Sequence, residues 1–189
     1  MTLKAIKLQI QTPTGPLLPG RGFYQLEEDA LYVQIAPFSQ EFRFYSFLES
    51  EQVHFDLDKQ GRLLFFELTL PRRRWKTDDN FALPENAEPA DIRWLDFRDT
   101  FKNPRITANA RKTAVKLTFA DSDPSATYLL GDEVYLQTDH DGRLVALYVN
   151  DIIDDIAGQE IAAFRHAILK EKARREKAAA PSAQPQPGI

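Results

Sequence analysis

Four polar side chains in the first half of the chain could together hold a small ligand or serve an enzyme. His54 and Asp56 stand two positions apart in a run that alternates apolar and polar residues, so a strand would place both on one face. Tyr32 and Glu67 add an aromatic and an acidic group from neighbouring runs. If the four converge, they predict a pocket between two halves of the protein, lined by aromatic and acidic groups.

A metal site is a second candidate, at the turn formed by residues 139–142. An EF-hand calcium loop has glycine at its sixth position and a bidentate glutamate at its twelfth. With Gly142 at the sixth position, Gln137 takes the first and Tyr148 the twelfth. The first ligand is then neutral and the last is missing. We therefore interpret the segment as a hairpin turn and predict no metal site.

A basic run at residues 72–76 is the candidate for nucleic-acid binding. Its arginines could contact phosphates while Trp75 stacks on a base. A single run of this kind, in a chain of net charge −4, favours a solvated strand end whose tryptophan folds onto the core. We therefore do not predict a nucleic-acid partner.

Local signatures of catalysis are missing from the sequence. None of the three histidines, His54, His140 and His166, has a ligand-like partner four residues away. The chain has no cysteine, which excludes a thiol nucleophile, a disulfide framework and a thiolate zinc site. The nucleophile elbow, the phosphate-binding glycine loop, the dinucleotide fingerprint and the His-Glu-x-x-His motif are also absent. The sequence thus predicts no catalytic residue and no cofactor.

Two segments of the chain are similar to one another, and each is typical of a strand, a tight turn and a second strand: residues 53–68 and 134–149. Asp58 and Asp139 can accept hydrogen bonds from backbone amides ahead of them and so begin a turn. Gly61 and Gly142 can take a positive φ without a Cβ penalty. The pattern predicts two short hairpins around which the rest of the chain is organised.

Arg62 and Arg143 follow these glycines at equivalent positions. If the halves pack about a pseudo-twofold axis, the two arginines could form matching rims on one binding surface. The alternative is that each makes a salt bridge with a nearby carboxylate, such as Asp56 or Asp141, and we favour this alternative. Both arginines remain candidate binding residues beside Tyr32, His54, Asp56 and Glu67.

The likeness between the halves extends upstream, where residues 29–36 correspond to residues 113–120. The connection between this strand and the hairpin is shorter in the second half, which a loop tolerates. Because the order of strand, connection and hairpin is the same in both halves, we interpret the chain as an internal duplication.

The first half carries a recognisable series of residues: Tyr24, then Asp-Ala-Leu-Tyr-Val at 29–33, Asp-Leu-Asp-Lys-Gln-Gly-Arg-Leu at 56–63 and Phe-Glu-Leu at 66–68. It resembles a family of short, uncharacterised bacterial domains with this order of motifs. The second half departs from the pattern, with Lys116 for the tyrosine, Gln137 for the first aspartate and Tyr148 for the glutamate. The resemblance implies a small β-rich fold and no established activity, so it transfers no catalytic residue.

Composition fits one domain, or two half-sized repeats that share a core. The chain has 189 residues, and its hydrophobic fraction of 43% suffices for a sizeable core. No stretch approaches the roughly 20 apolar residues that span a bilayer, and the N-terminus runs into an alternating strand rather than an apolar signal core. We therefore predict a cytoplasmic, bacterial protein with no membrane association.

Near the C-terminus the apolar period becomes helical, with Ile161, Phe164, Ile168 and Leu169 on one face. The predicted fold class is α+β, mostly β, with two related antiparallel β repeats sharing a core and one C-terminal amphipathic helix. The predicted divisions, in chain order, are an N-terminal strand and loop, a first β repeat, a linker region, a second β repeat with the helix, and a disordered tail: residues 1–22, 23–76, 77–108, 109–177 and 178–189.

Three functional hypotheses remain open at this point. The first is a non-catalytic protein-interaction or structural module, because the recurring residues all serve turns and packing. The second is a small-ligand-binding protein or enzyme, with a pocket between the repeats. The third is an inhibitor or immunity-type protein. The sequence favours the first, in which the partner is another protein, and leaves the oligomeric state open.

Overall fold

A computed structural model describes residues 5–37, 42–156 and 158–179. This part of the chain is mostly β with one C-terminal α-helix, which confirms the predicted fold class. The strands of the first half are β1 (Leu8–Gln11), β2 (Arg21–Gln25), β3 (Ala30–Gln34), β4 (Phe44–Glu49), β5 (Val53–Asp58) and β6 (Leu63–Leu68), followed by a 3-10 turn at Arg72–Arg74. The remaining elements are β7 (Lys76–Thr77), β8 (Glu88–Pro89), β9 (Asp91–Trp94), β10 (Asp99–Thr100), β11 (Arg105–Ala108), β12 (Val115–Thr118), β13 (Ala126–Gly131), β14 (Val134–Thr138), β15 (Leu144–Val149), β16 (Ile153–Asp154) and α1 (Gln159–Ala179).

The strands form two seven-stranded sheets with the same internal order. The first sheet runs β10-β4-β5-β6-β3-β2-β16, and the second runs β7-β11-β12-β15-β14-β13-β8. In the first sheet, the β2–β3 hairpin is followed by the antiparallel meander β4-β5-β6, whose last strand pairs with β3. In the second sheet, the β11–β12 hairpin is followed by the meander β13-β14-β15, whose last strand pairs with β12. The two halves therefore share one topology, although common ancestry stays a prediction.

Crossed connections join the halves at the sheet edges. β16, which follows the second half, pairs in parallel with β2 of the first, and β7, which follows the first half, pairs in parallel with β11 of the second. The other two edges carry β10 beside β4 and β8 beside β13, again in parallel. The segment 77–108, predicted as a linker region, thus contributes strands to both sheets.

A separate two-stranded ribbon, β1 with β9, ties the two hairpin turns together. Leu8 pairs with Trp94 at one end of the ribbon. The Leu8 N–H donates to the Gly142 carbonyl oxygen at 2.9 Å, and the Trp94 N–H donates to the Gly61 carbonyl oxygen at 2.7 Å. The ribbon therefore makes the same contact with each half of the molecule.

The inner faces of both sheets contribute to one hydrophobic core. Val53, Phe55 and Leu57 alternate inward along β5, as the sequence predicts, and each is at most 1% exposed. The outer faces are covered by different segments. Ile161, Phe164 and Ile168 of α1 pack on the first sheet, whereas a loop around Phe81 and Leu83 packs on the second. The prediction that Leu169 belongs to the packed helix face is wrong, because that side chain is 64% exposed.

Candidate functional site

The four polar candidates of the first half lie together on the outer face of the first sheet, beside α1. His54 and Tyr32 are the cross-strand neighbours of Glu67, from β5 and β3 respectively. Asp56 follows His54 on the same face, where alternation along β5 places it. This face points away from the second sheet, so the four residues do not line a pocket between the repeats. We name Tyr32, His54, Asp56 and Glu67 the polar cluster.

The imidazole of His54 is held between two carboxylates. Its Nε2 lies 3.1 Å from Asp56 Oδ1, and its Nδ1 lies 3.4 Å from Glu49 Oε2. The ring stacks on Phe47, with centroids 5.6 Å apart. Hydrogen bonding to Asp56 raises the pKa of His54 above its ordinary value, against the opposing effect of burial.

Basic side chains of α1 match the acids on this sheet face. Lys172 Nζ lies 4.0 Å from Asp56 Oδ1. Arg165 forms an ion pair with Glu28, and its guanidinium lies 4.6 Å from the Tyr32 ring centroid. The Tyr32 hydroxyl donates to Glu28 Oε2 at 2.5 Å. The contacts of Tyr32 and Asp56 therefore help to hold the helix on the sheet.

Glu67 is the least compensated member of the polar cluster. Burial raises the pKa of its carboxyl, because ionisation in a partly desolvated position is unfavourable. The histidine and aspartate beside it form a hydrogen-bonded pair. Across the described ranges, no group of three histidine, cysteine, aspartate or glutamate side chains is arranged to hold a metal ion. The polar cluster thus lies in a packed interface between α1 and the first sheet.

The contribution of the polar cluster to protein stability should depend on pH through His54. Its pKa is higher in the folded protein, so its contribution to stability is complete below the unfolded value of about 6.5 and is lost as pH rises through the folded pKa. We expect the His54→Gln substitution to lower the melting temperature by more at about pH 5.5 than at about pH 8.5. His140→Gln, at an exposed turn position, is the matched control and should show no such trend. A pH-independent difference for His54→Gln would contradict the prediction.

The hairpin turns have the predicted chemistry. Gly61 and Gly142 take φ values of 81° and 69°. Asp58 Oδ1 accepts from the backbone N–H groups of Gln60 and Arg62, and Asp139 Oδ1 makes the equivalent contacts in the second turn. Burial opposes ionisation of Asp139, but these backbone donors hold its pKa below the usual range.

The two turn arginines do not form matching rims. Arg62 Nε binds Asp58 Oδ2 at 2.5 Å, and its side chain is 20% exposed. Arg143 binds Asp141 at 3.1 Å, and its side chain is 46% exposed. Both therefore make the expected salt bridges, although the partner of Arg62 is Asp58 rather than Asp56. The two arginines also differ in that Arg62 lines a cavity and Arg143 does not.

This cavity has a volume of about 290 Å³ and lies between the loop before β2, the first hairpin turn and the segment leading into β9. The first half contributes Ile35, Phe42, Arg62 and Leu63, and the second half contributes Leu130. The remaining wall comes from the loop and from the connecting segment: residues 13–18 and 89–92. A pocket between the halves thus exists, but Arg62 is the only one of the candidate binding residues named from the sequence that lines it.

Within the basic run at residues 72–76, Trp75 and Arg72 pack into the structure, whereas Arg73, Arg74 and Lys76 are exposed. Trp75 is 2% exposed and its Nε1–H donates to the Leu70 carbonyl oxygen at 2.8 Å, so the tryptophan folds onto the core as predicted. The Arg72 guanidinium lies 3.9 Å from the Tyr24 ring centroid, and its Nη2 lies 2.6 Å from Asp154 Oδ1.

Burial and the hydrogen bond to Asp29 raise the pKa of Tyr24 to about 12.

Sequence reasoning missed an exposed apolar surface beside the polar cluster. Tyr45, Leu95 and Phe97 are 37%, 50% and 38% exposed. The Tyr45 and Phe97 rings meet edge to face with centroids 6.0 Å apart, and Leu95 lies two residues before Phe97 in the connection between β9 and β10. The alternation of Leu95 and Phe97 about Asp96 was a weak signal, since it does not distinguish a strand from a helical turn. We name these three residues the aromatic patch.

Comparison with known proteins adds no assignment: no protein-family model matches the chain, and a search of curated proteins returned no match. The resemblance to short bacterial domains therefore stays a prediction. In the residues that the structure describes, no helix has the length and apolarity to span a membrane.

Proposed function

We propose that this protein is a non-catalytic interaction module that docks another protein through the aromatic patch. The observation that carries the proposal is the ring contact of Tyr45 and Phe97 at the surface, with the exposed Leu95 two residues before Phe97 in the chain. Exposed apolar side chains that cluster mark interaction sites more often than single ones do, and aromatic residues are enriched at protein interfaces.

Charge beside the aromatic patch indicates the chemistry of the partner. The Arg175 guanidinium of α1 lies 4.9 Å from the Tyr45 ring centroid and donates to the Tyr45 carbonyl oxygen at 3.2 Å. Lys172 Nζ lies 4.5 Å from the neighbouring Phe44 ring. A partner segment that presents an apolar anchor next to acidic residues would complement these aromatic and cationic groups.

The sheet edges favour docking through side chains over strand addition. Each sheet ends on both sides, among the described residues, in a two-residue strand that pairs in parallel with its neighbour. Strands this short offer little backbone for an extended peptide to pair with, and such blunting is a recognised protection against edge association. The contact would therefore depend on the aromatic patch.

Site-specific crosslinking tests the proposal. A photoreactive phenylalanine at position 97 should capture a partner in cells of the source organism, and the same residue at position 26 should not. Leu26 is the matched control, since it is 51% exposed and lies outside the patch. The double variant Tyr45→Ser, Phe97→Ser should weaken binding of the captured protein by about tenfold or more, with Leu26→Ser nearly unchanged. Equal binding by all variants would refute the docking surface.

An inhibitor or immunity role would be a special case of this function, in which the captured partner is a toxin or an enzyme. An activity assay of the partner, with and without the protein, separates that case from a structural contact. Inhibition that is lost in the double patch variant would favour it.

A further inference from the structure

We propose that the cavity beside Arg62 binds a small, largely apolar carboxylate, with the carboxylate at Arg62 and the apolar body between the two halves. This site is separate from the aromatic patch and does not depend on it. Its volume of about 290 Å³ is close to the lower end of the roughly 300–1,000 Å³ typical of small-molecule pockets. A compact aromatic acid or a medium-chain fatty acid fits that description.

The walls supply an apolar environment from both halves of the chain. Ile35 and Leu63 come from the first half, Ile92 from the central ribbon and Leu130 from the second half. Three prolines, Pro13, Pro16 and Pro89, complete the lining. Because proline restricts the backbone, these walls lose little freedom when a ligand binds, and that preorganisation favours affinity.

Arg62 is positioned before any ligand arrives. Asp58 accepts from its backbone N–H at 2.9 Å and from its Nε at 2.5 Å, and the guanidinium lies 4.4 Å from the Phe42 ring centroid. A guanidinium has five N–H donors in a planar fork, so it can bind a ligand carboxylate in addition to its contacts within the protein. This geometry favours an anionic group over a cationic one at that wall.

Asp91 also lines the cavity and sets the orientation of the ligand. Its carboxylate pairs with the Arg93 guanidinium, and their side chains are 13% and 16% exposed. Repulsion from Asp91 would keep a ligand carboxylate at the Arg62 wall and leave the apolar body for the rest of the cavity. A dicarboxylate is therefore excluded from the proposed ligand class.

Calorimetric titration with three probes of one chain length tests both the site and the charge preference. The probes are octanoate, octanol and octylamine. We expect octanoate to bind at least about fivefold more tightly than octanol and octylamine to bind most weakly. Preference for octylamine, or equal binding of all three, would overturn the proposal.

Methyl NMR of the wild-type protein locates the bound probe without a substitution. Octanoate should shift the methyl signals of Leu63, Ile92 and Leu130, while those of Leu117, in the core of the second sheet, stay unchanged. Shifts confined to other methyl groups would refute the site. This measurement decides the matter even if a cavity variant fails to fold.

The two turn arginines give a matched pair of variants. Arg62→Gln should remove the roughly fivefold preference for octanoate, whereas Arg143→Gln, at the equivalent turn outside the cavity, should keep it. Ala90→Phe, which fills part of the cavity, should abolish binding of octanoate with the circular dichroism spectrum unchanged. Undiminished octanoate binding by Arg62→Gln and by Ala90→Phe would each contradict the assignment.

Discussion

Gly61→Ala is expected to destabilise the protein by about 3 kcal/mol or more, and Gly142→Ala by about 1–2 kcal/mol. Both glycines have a positive φ, so both substitutions carry the strain of a left-handed residue. Only at Gly61 would the new Cβ collide with the Trp94 carbonyl oxygen, whereas at Gly142 its nearest neighbour is the Leu8 carbonyl oxygen at 3.3 Å. Urea unfolding at neutral pH measures the difference.

The contrast matters because the two turns have the same local chemistry. Gly61→Ala must push β9 away from the first hairpin or distort the turn, and the Trp94 N–H bond to the Gly61 carbonyl then weakens. At Gly142, a shift of the Leu8 carbonyl oxygen by a few tenths of an ångström relieves its contact with the new Cβ. Equal losses for the two variants would mean that turn strain alone, and not the approach of the ribbon, sets the requirement for glycine.

Phe55→Ala is expected to lower the free energy of unfolding by about 3–5 kcal/mol. Phe55 is fully buried, and its ring contacts Phe66, Phe101 and Phe119 at centroid distances of 5.7, 5.4 and 5.9 Å. It also lies 6.1 Å from the Trp94 ring of the central ribbon. One side chain therefore joins the first half, the second half and the segments between them.

Phe97→Ala is the matched control for this prediction, because that phenylalanine is 38% exposed. It should cost less than about 1 kcal/mol. Chemical denaturation of both variants, followed by circular dichroism, gives the comparison. A loss for Phe55→Ala no greater than that for Phe97→Ala would show that the halves do not depend on a common aromatic core.

The differences between the two halves have a structural reason that sequence comparison alone does not give. Tyr32, Asp56 and Glu67 correspond to Lys116, Gln137 and Tyr148, and all six alternate onto the outer faces. In the second half the Lys116 ammonium lies 5.2 Å from the Tyr148 ring centroid, and the Tyr148 hydroxyl donates to Gln137 Oε1 at 3.1 Å. The faces differ in composition because α1 covers one and an apolar loop covers the other.

Local rules were enough to predict the polar cluster as a group but not its setting. Alternation along β5 puts His54 and Asp56 on one face, and that holds for any sheet containing the strand. Which element covers the face depends on where residues 159–179 return, roughly a hundred positions later in the chain. The cluster was therefore expected in a pocket between the repeats and lies instead beneath a helix.

The two hairpins, the inward-facing positions of the strands and the C-terminal helix could all be predicted from local sequence. Each of these depends on residues that are close along the chain, through aspartate-to-backbone bonds, the φ of glycine and apolar periodicity. The crossed edge strands, the cavity at Arg62 and the aromatic patch could not be predicted in this way, because they form only when the chain packs. These join segments far apart in the chain, and their geometry depends on how the two sheets and the ribbon pack, which no local pattern encodes.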